Sequence, residues 1–240
     1  MIFHALRSGW EAERLEDMHQ RIEPGMTVWD IGAECGDFTA LYRTWVGEDG
    51  AVVPIEPQPA MWPDLYGTWT ANELPPPPWT FQGFVGDFTS DDAHRMLSGP
   101  LPDLAEAAWP KAAVGEVIPD PGFMHLAHHT DKVETATIDW LAEHMGHVPD
   151  VLVLDIEGAE TRAMRGAEAT LTADHPFGVL VYISVHPPTM LDWYGDTEAD
   201  LDDVMQGYGY GGRYLGTHGG ENFVLFEHGA PSDWVGKGAR

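Results

Sequence analysis

TVWDIGAECGDFTALY, residues 27–42, is the stretch that decides how this chain folds. An apolar run with Val28 and Ile31 carries an acid, Asp30, near its end, and a turn punctuated by Gly32 and Gly36 then opens into a helical pattern. That is the signature of a buried parallel strand whose carboxyl end meets a turn where glycine lets the backbone pass close to a ligand. A second apolar run, AVVPIEP at 51–57, ends in Glu56. A carboxylate about 20 residues beyond such a turn is placed to accept both hydroxyls of a ribose. The two runs predict a doubly wound α/β sheet that holds a nucleoside cofactor. Spacing alone leaves a dinucleotide and S-adenosylmethionine both open.

The glycine content of the turn separates them. A pyrophosphate rests on bare backbone at a helix N-terminus and wants the full G-x-G-x-x-G. Here Ala33, Glu34 and Cys35 stand where close-packed glycines would be, and Glu34 and Asp37 add two carboxylates. Negative side chains repel a phosphate but stabilise a sulfonium or an amino group. The turn therefore favours S-adenosylmethionine. An ordinary strand-to-helix turn without a ligand is the bland alternative.

Outward from this core, Trp10, Leu15, Met18 and Ile22 recur at helical spacing, so residues 1–25 read as an N-terminal amphipathic helix ended by Pro24-Gly25. Four consecutive prolines, 75–78, exclude helix interior and central strand and make an extended surface spacer. TFQGFVGDF, residues 80–88, reads as strand three, with Gly86 and Asp87 at its end. Asp87 is a candidate for the adenine amino group, or else a plain helix N-cap. Residues 98–135, rich in Pro and Gly, read as a cap insert between strands three and four. Its histidines 125, 128 and 129 lack the cysteine or acid partners of a closed zinc site and read as solvated or substrate-facing. TIDWL at 137–141 begins a helix. RYLGTH and ENFVLFEH make a closing antiparallel hairpin, and residues 229–240 read as a flexible tail.

VLVLDIEGAETRAMRGAEATL, residues 151–171, is the second strong signal: a continuous apolar strand, three acids, then a helix. Glu160 suits a helix first turn electrostatically, which is sufficient reason for it. Asp155, at a strand end on the ligand edge, is placed for chemistry. VLVYISVHPP supplies strand five with His186 at its end, so adjacent strand ends bring His186 and Asp155 into one cleft.

Composition bounds the rest. The 240 residues form one domain large enough to bury a substantial core. Thirty-nine acids against 12 bases give a net charge of -27, a poor match to phosphate backbones or anionic lipid. Neither nucleic acid nor membrane is expected as a partner. A single cysteine, Cys35, excludes an internal disulfide and agrees with a reducing compartment, and no apolar run is long enough for a membrane span. The expected location is cytoplasmic, with a homodimer as the assembly considered.

Together VWDIGAECGDFT, the IEP at 55–57, the VGD at 85–87, TIDWL, LDIEGAE followed by RGA (154–160, 165–167) and ISVHP (183–187) resemble the FkbM-type family of S-adenosylmethionine-dependent methyltransferases. The resemblance covers most of residues 20–227, and the LDIEGAE string with RGA is its most specific part. It implies a class I, Rossmann-like fold: a doubly wound, mostly parallel seven-stranded sheet ending in an antiparallel hairpin. It implies cofactor contacts from Asp30, Gly32, Ala33, Gly36, Phe38, Thr39, Glu56, Gly86 and Asp87. The implied reaction is O-methylation of a hydroxyl, on a sugar of a glycan or a related small molecule. The chain departs from the family at Val153, where lysine is common, and at Ser184, where glutamate is frequent, so acceptor-pocket details differ.

A sugar hydroxyl is a very weak acid, so a base or a metal must take its proton as the methyl transfers. Either His186 is that base, with Asp155 orienting the imidazole or the substrate, or Asp155, Glu157 and His186 hold a divalent cation such as Mg2+ or Mn2+. Two rivals stand beside this reading. One is a nicotinamide-dependent oxidoreductase on a similar sheet, which the incomplete glycine fingerprint disfavours. The other is a catalytically silent scaffold, which would have no use for Asp30, Gly32, Gly36 and Glu56.

Overall fold

A computed structural model describes residues 11–99, 109–110, 133–176 and 178–236. Trp10, most of the 98–135 insert with its three histidines, and residues 237–240 of the tail lie outside the described residues. The chain opens with α1 (Ala12–Arg21), β1 (Thr27–Ile31), α2 (Asp37–Trp45), β2 (Ala51–Ile55) and α3 (Trp62–Ala71). Four short strands follow, β3 (Thr80–Phe81), β4 (Phe84–Val85), β5 (Leu97–Ser98) and β6 (Thr135–Ala136), then α4 (Ile138–Met145) and β7 (Val151–Leu154). Next come α5 (Glu160–Arg165), α6 (Glu168–Thr172), β8 (Leu180–Val185), α7 (Pro188–Leu191), α8 (Glu198–Gly207), and the hairpin β9 (Tyr210–His218) with β10 (Glu221–His228).

Among the described residues the main sheet has eight strands in the order β5-β3-β2-β1-β7-β8-β10-β9. The run β3-β2-β1-β7-β8 is parallel, and β10 joins β8 and β9 antiparallel, as the sequence predicts. The eighth strand, one more than expected, is β5, which pairs antiparallel with β3 at the edge. Strand three is also not one piece. The chain breaks at Gly83, where an added Cβ would sit 2.6 Å from the Phe81 ring and 2.7 Å from the Glu134 carbonyl. β4 beyond the break leaves the main sheet and pairs with β6 in a separate two-stranded sheet.

Alternation along each central strand explains why both faces are covered. Trp29, Ile31, Val53, Ile55, Leu152, Leu154, Val181 and Ile183 enter one apolar cluster. Val28, Val52, Val151, Val153 and Tyr182 enter the other, with Met18 and Leu15 of α1 and Trp62 and Trp69 of α3. Successive side chains on a strand point to opposite faces, so an unbroken apolar strand needs helices on both sides. Among the described residues no helix is long and apolar enough to cross a membrane.

Candidate active site

The carboxyl ends of β1, β2, β7 and β8 open onto two cavities. The first, about 310 Å³, is lined by Glu56, Phe84, Val85, Ile156, Met190 and Trp193 among others. The second, about 510 Å³, lies between α1, the β1–α2 turn and the hairpin, and includes Arg14, Asp30, Phe38, His218 and Glu221. Gly32, Glu34, Asp155 and Glu157 line both.

The β1–α2 turn adopts the conformation its glycines imply. Gly32 has φ +90, and a Cβ there would lie 1.9 Å from the Asp155 carbonyl oxygen. Gly36, φ +81, caps α2 and packs on Leu65. The N–H groups of Gly32 and Ala33 both donate to the Ile55 carbonyl, at 2.9 and 3.1 Å, which ties the turn to β2. Glu34 and Glu157 also have positive φ, 45 and 57, a strained state for residues with a Cβ. Both stand where the cavities meet.

Glu56 is buried and accepts hydrogen bonds from the Glu34 N–H at 2.9 Å and the Gln58 N–H at 2.8 Å. Burial raises its carboxyl to about 7 against those two donors. Asp30 is buried too and accepts from the Thr39 hydroxyl. Burial raises it to about 7, opposed by Thr39 and by the Arg14 charge. Both carboxyls bind protons more tightly folded than unfolded, so the fold loses stability as pH rises from about 4 to about 7. The ligand-free protein is accordingly expected to melt at a higher temperature at pH 5.5 than at pH 7.5 in the same salt. Scanning fluorimetry checks this, and a Tm that rises over that interval would contradict the burial of the pair.

Ala33 and Phe38 line the second cavity, and Thr39 lies beneath it on Asp30. Gly86 and Asp87 are not brought to the cleft. Gly86 donates its N–H to the Ala136 carbonyl at 3.0 Å, Asp87 is exposed, and neither is among the described residues that line these two cavities. The break at Gly83 turns β4 aside, so Phe84 and Val85 line the first cavity in their stead.

His186 and Asp155 do meet. The imidazole is almost wholly buried, and its Nδ1 lies 2.7 Å from Oε1 of Glu160, which also accepts from the Gly158 N–H at 3.1 Å. Nε2 faces three carboxylates, each at 3.6 Å: Asp155, Glu157 and Glu221. Burial alone would lower the imidazole pKa. The Glu160 hydrogen bond and charge, joined by the Asp155 and Glu221 charges, override it and raise His186 to about 9. Burial, with the Asp155 charge next, raises Glu221 to about 7. Donor atoms of Asp155, His186 and Glu221 all lie within 4.8 Å of one another, spacing that a metal ion could span.

Two of these residues escape a reading of motifs. Glu160, read as a helix-end acid, is fully buried and bonded to the histidine. Glu221 belongs to no motif, but Asn222 pairs with Val185 across antiparallel strands, so Glu221 falls opposite His186.

The fold is similar to several solved structures. A SAM-dependent methyltransferase from Aquifex aeolicus shares 14% identity, with a TM-score of 0.47 over 90% of this chain and 87% of that one. For a precorrin-6y C5,15-methyltransferase from Geobacter metallireducens GS-15 the values are 9% and 0.48, over 92% and 88%. For a SAM-dependent O-methyltransferase from Thermotoga maritima they are 10% and 0.46, over 93% and 67%. A comparison with curated proteins finds no match. The methyltransferase FkbM domain pattern matches residues 30–211, from Asp30 through the histidine cluster to the start of the hairpin. The chain belongs to the FkbM methyltransferase family and is an S-adenosylmethionine-dependent methyltransferase.

Proposed function

We propose that this enzyme transfers the methyl group of S-adenosylmethionine to a hydroxyl of a sugar, a glycan or a related small molecule. The observation that carries the reading is the His186 cluster, placed where the two cavities join and oriented from behind by a buried carboxylate. The residues fit the cofactor: Gly32 lets the β1–α2 turn lie close against the Asp155 backbone at the edge of both cavities, and Glu56 is buried with its carboxylate already aligned by two N–H groups. Glu56 is the residue to accept the ribose hydroxyls, with Val85 and Ile156 against the base. When bound, S-adenosylmethionine supplies an electrophilic methyl on a cationic sulfur, and carboxylates at the cavity junction favour that charge.

Methyl transfer requires the acceptor oxygen in line with carbon and sulfur, and positioning of that kind contributes several kcal/mol (about 7–11 in favourable cases). Asp155 lines both cavities and is placed to orient the acceptor hydroxyl. The donor set of Asp155, His186 and Glu221 suits a divalent cation such as Mg2+ or Mn2+, with carboxylate oxygens and an imidazole whose other nitrogen is held by Glu160. Glu157, expected among the ligands, stands at the same 3.6 Å from Nε2 but is the more exposed carboxylate. When bound, the cation lowers the pKa of the acceptor hydroxyl. His186 acting alone as base is a second reading, drawn from its pairing with Glu160; with the imidazole raised to about 9, it requires Nε2 to give up its proton before the acceptor hydroxyl's is taken.

A chelator separates the two. Activity is expected to fall at least tenfold in EDTA, as loss of a Lewis acid implies, and to return with Mg2+ or Mn2+. Full activity in EDTA would assign the proton to His186 alone. The chemistry itself is tested by incubating enzyme and cofactor with a panel of sugars, alcohols and amines and reading each for a mass gain of one CH2. Methylation confined to nitrogen acceptors would overturn the proposal. The net charge of -27 supports a small acceptor over nucleic acid.

A further inference from the structure

The second cavity has a mismatch with the cofactor it must share. Its walls carry Glu11, Asp30, Glu34, Asp155, Glu157 and Glu221. Such a wall favours the sulfonium and the α-ammonium of S-adenosylmethionine, but it repels the α-carboxylate at the same end of the molecule. Among the described residues lining it, Arg14 is the sole lysine or arginine.

Arg14 is built in rather than draped over the surface. It is 2% exposed, on α1, with Nη1 donating to Ser184 Oγ at 2.6 Å and Nη2 paired with Glu11. The guanidinium lies between the Phe38 and Phe223 rings, 5.4 and 4.7 Å from their centroids. Its Nε is buried without a hydrogen-bond partner. A buried donor left unpaired is costly, and a guanidinium fork matches a carboxylate in geometry as well as charge. With the ribose at Glu56 in the first cavity, Gly32 and Asp155 mark the passage into the second, and the amino-acid end of the cofactor enters toward Arg14.

We infer that Arg14 is the receptor for the α-carboxylate of S-adenosylmethionine, a cofactor subsite supplied by the N-terminal helix. Arg14 precedes the matched residues 30–211, so the family pattern does not cover it. The inference rests on the cofactor placement proposed above. It gives the departure at Ser184 a purpose: the hydroxyl accepts from Nη1 and fixes the guanidinium, where a glutamate would compete for it.

Calorimetry with three ligands tests it: S-adenosylmethionine, its decarboxylated analogue, and 5′-methylthioadenosine, which lacks the whole amino-acid end. Wild-type protein is expected to bind the decarboxylated analogue about 10- to 100-fold more weakly than the intact cofactor, the range for a charged hydrogen-bonded pair. Arg14→Met should lose a similar factor for the intact cofactor, hold methylthioadenosine within about twofold, and no longer discriminate against the decarboxylated analogue. Arg14→Lys, which keeps charge without the fork, should fall between. A purely structural arginine would weaken all three ligands together on replacement, and that result overturns the inference. So does equal binding of intact and decarboxylated cofactor by wild-type protein, a comparison that needs no variant to fold. Wild-type protein that binds none of the three overturns the cofactor placement itself.

Discussion

Replacing His186 with alanine is expected to lower turnover by roughly 10²- to 10⁴-fold, the usual contribution of a positioned proton-transfer group. Affinity for S-adenosylmethionine should stay within about twofold, the pattern of an interaction made only as the reaction proceeds. The imidazole lines neither cavity wall; it reaches the site through Nε2, 3.6 Å from Asp155, Glu157 and Glu221. Its removal takes away the base of one reading and a ligand of the other, so the loss is large in both. Glu160→Gln refines the result. The amide retains an oxygen for Nδ1 but removes the buried charge, and a loss of roughly 10- to 100-fold is expected, as for partners behind metal ligands. Steady-state kinetics together with calorimetry decide. Near-normal turnover in His186→Ala would remove the histidine from the chemistry, and a parallel collapse of cofactor affinity would make its role structural.

How much of this was readable beforehand depends on the range of the interaction concerned. The central sheet was legible because the runs at 28–31, 51–55 and 151–154 are almost unbroken in apolar residues, which a strand covered on both faces requires. The β1–α2 turn was legible because Gly32 and Gly36 fix a backbone shape within five residues. Strand three was less so. TFQGFVGDF has the composition of one strand, and its second half joins another sheet through a long-range pairing of β4 with β6, with Gly83 at the break packed close to Phe81 and the Glu134 carbonyl, so Asp87 stands away from the cleft. Glu221 and Arg14 were invisible to motifs because their places follow from long-range pairing: one across β10 and β8, the other through α1 onto Ser184. Glu160 has a sufficient local explanation in its sequence, the first turn of a helix. A helix-end acid and a buried histidine partner look alike until the strand 26 residues away is set beside it.

Gly32→Ala is expected to be the most damaging small substitution in the cofactor half, and Gly25→Ala shows why. The two glycines share a backbone conformation, φ +90 and +91. At Gly25 an added Cβ meets nothing within 4 Å, so that variant carries only the left-handed penalty of about 1–2 kcal/mol. At 2–4 °C per kcal/mol for a chain of this size, its Tm should drop by about 2–8 °C. At Gly32 the same methyl would lie 1.9 Å from the Asp155 carbonyl oxygen and 2.9 Å from its carbon. Backbone cannot swing aside as a side-chain tip can. Asp155 is tied to β1 by its N–H on the Ile31 carbonyl at 2.9 Å, and Gly32 to β2 by its own N–H on Ile55. Relief of the clash must therefore pull β1 and β7 apart at their carboxyl ends. Strain of that kind brings the total to roughly 4 kcal/mol or more, and a Tm loss of about 8–16 °C. It also displaces the carboxylate that lines both cavities, and a misplacement of about 1 Å can lower turnover on the order of 100-fold. Thermal melts of both variants, with cofactor titration and kinetics of Gly32→Ala at a temperature where it is folded, measure the two effects separately. Equal Tm losses at positions 25 and 32, with cofactor affinity and turnover kept at 32, would show that the turn does not press on Asp155.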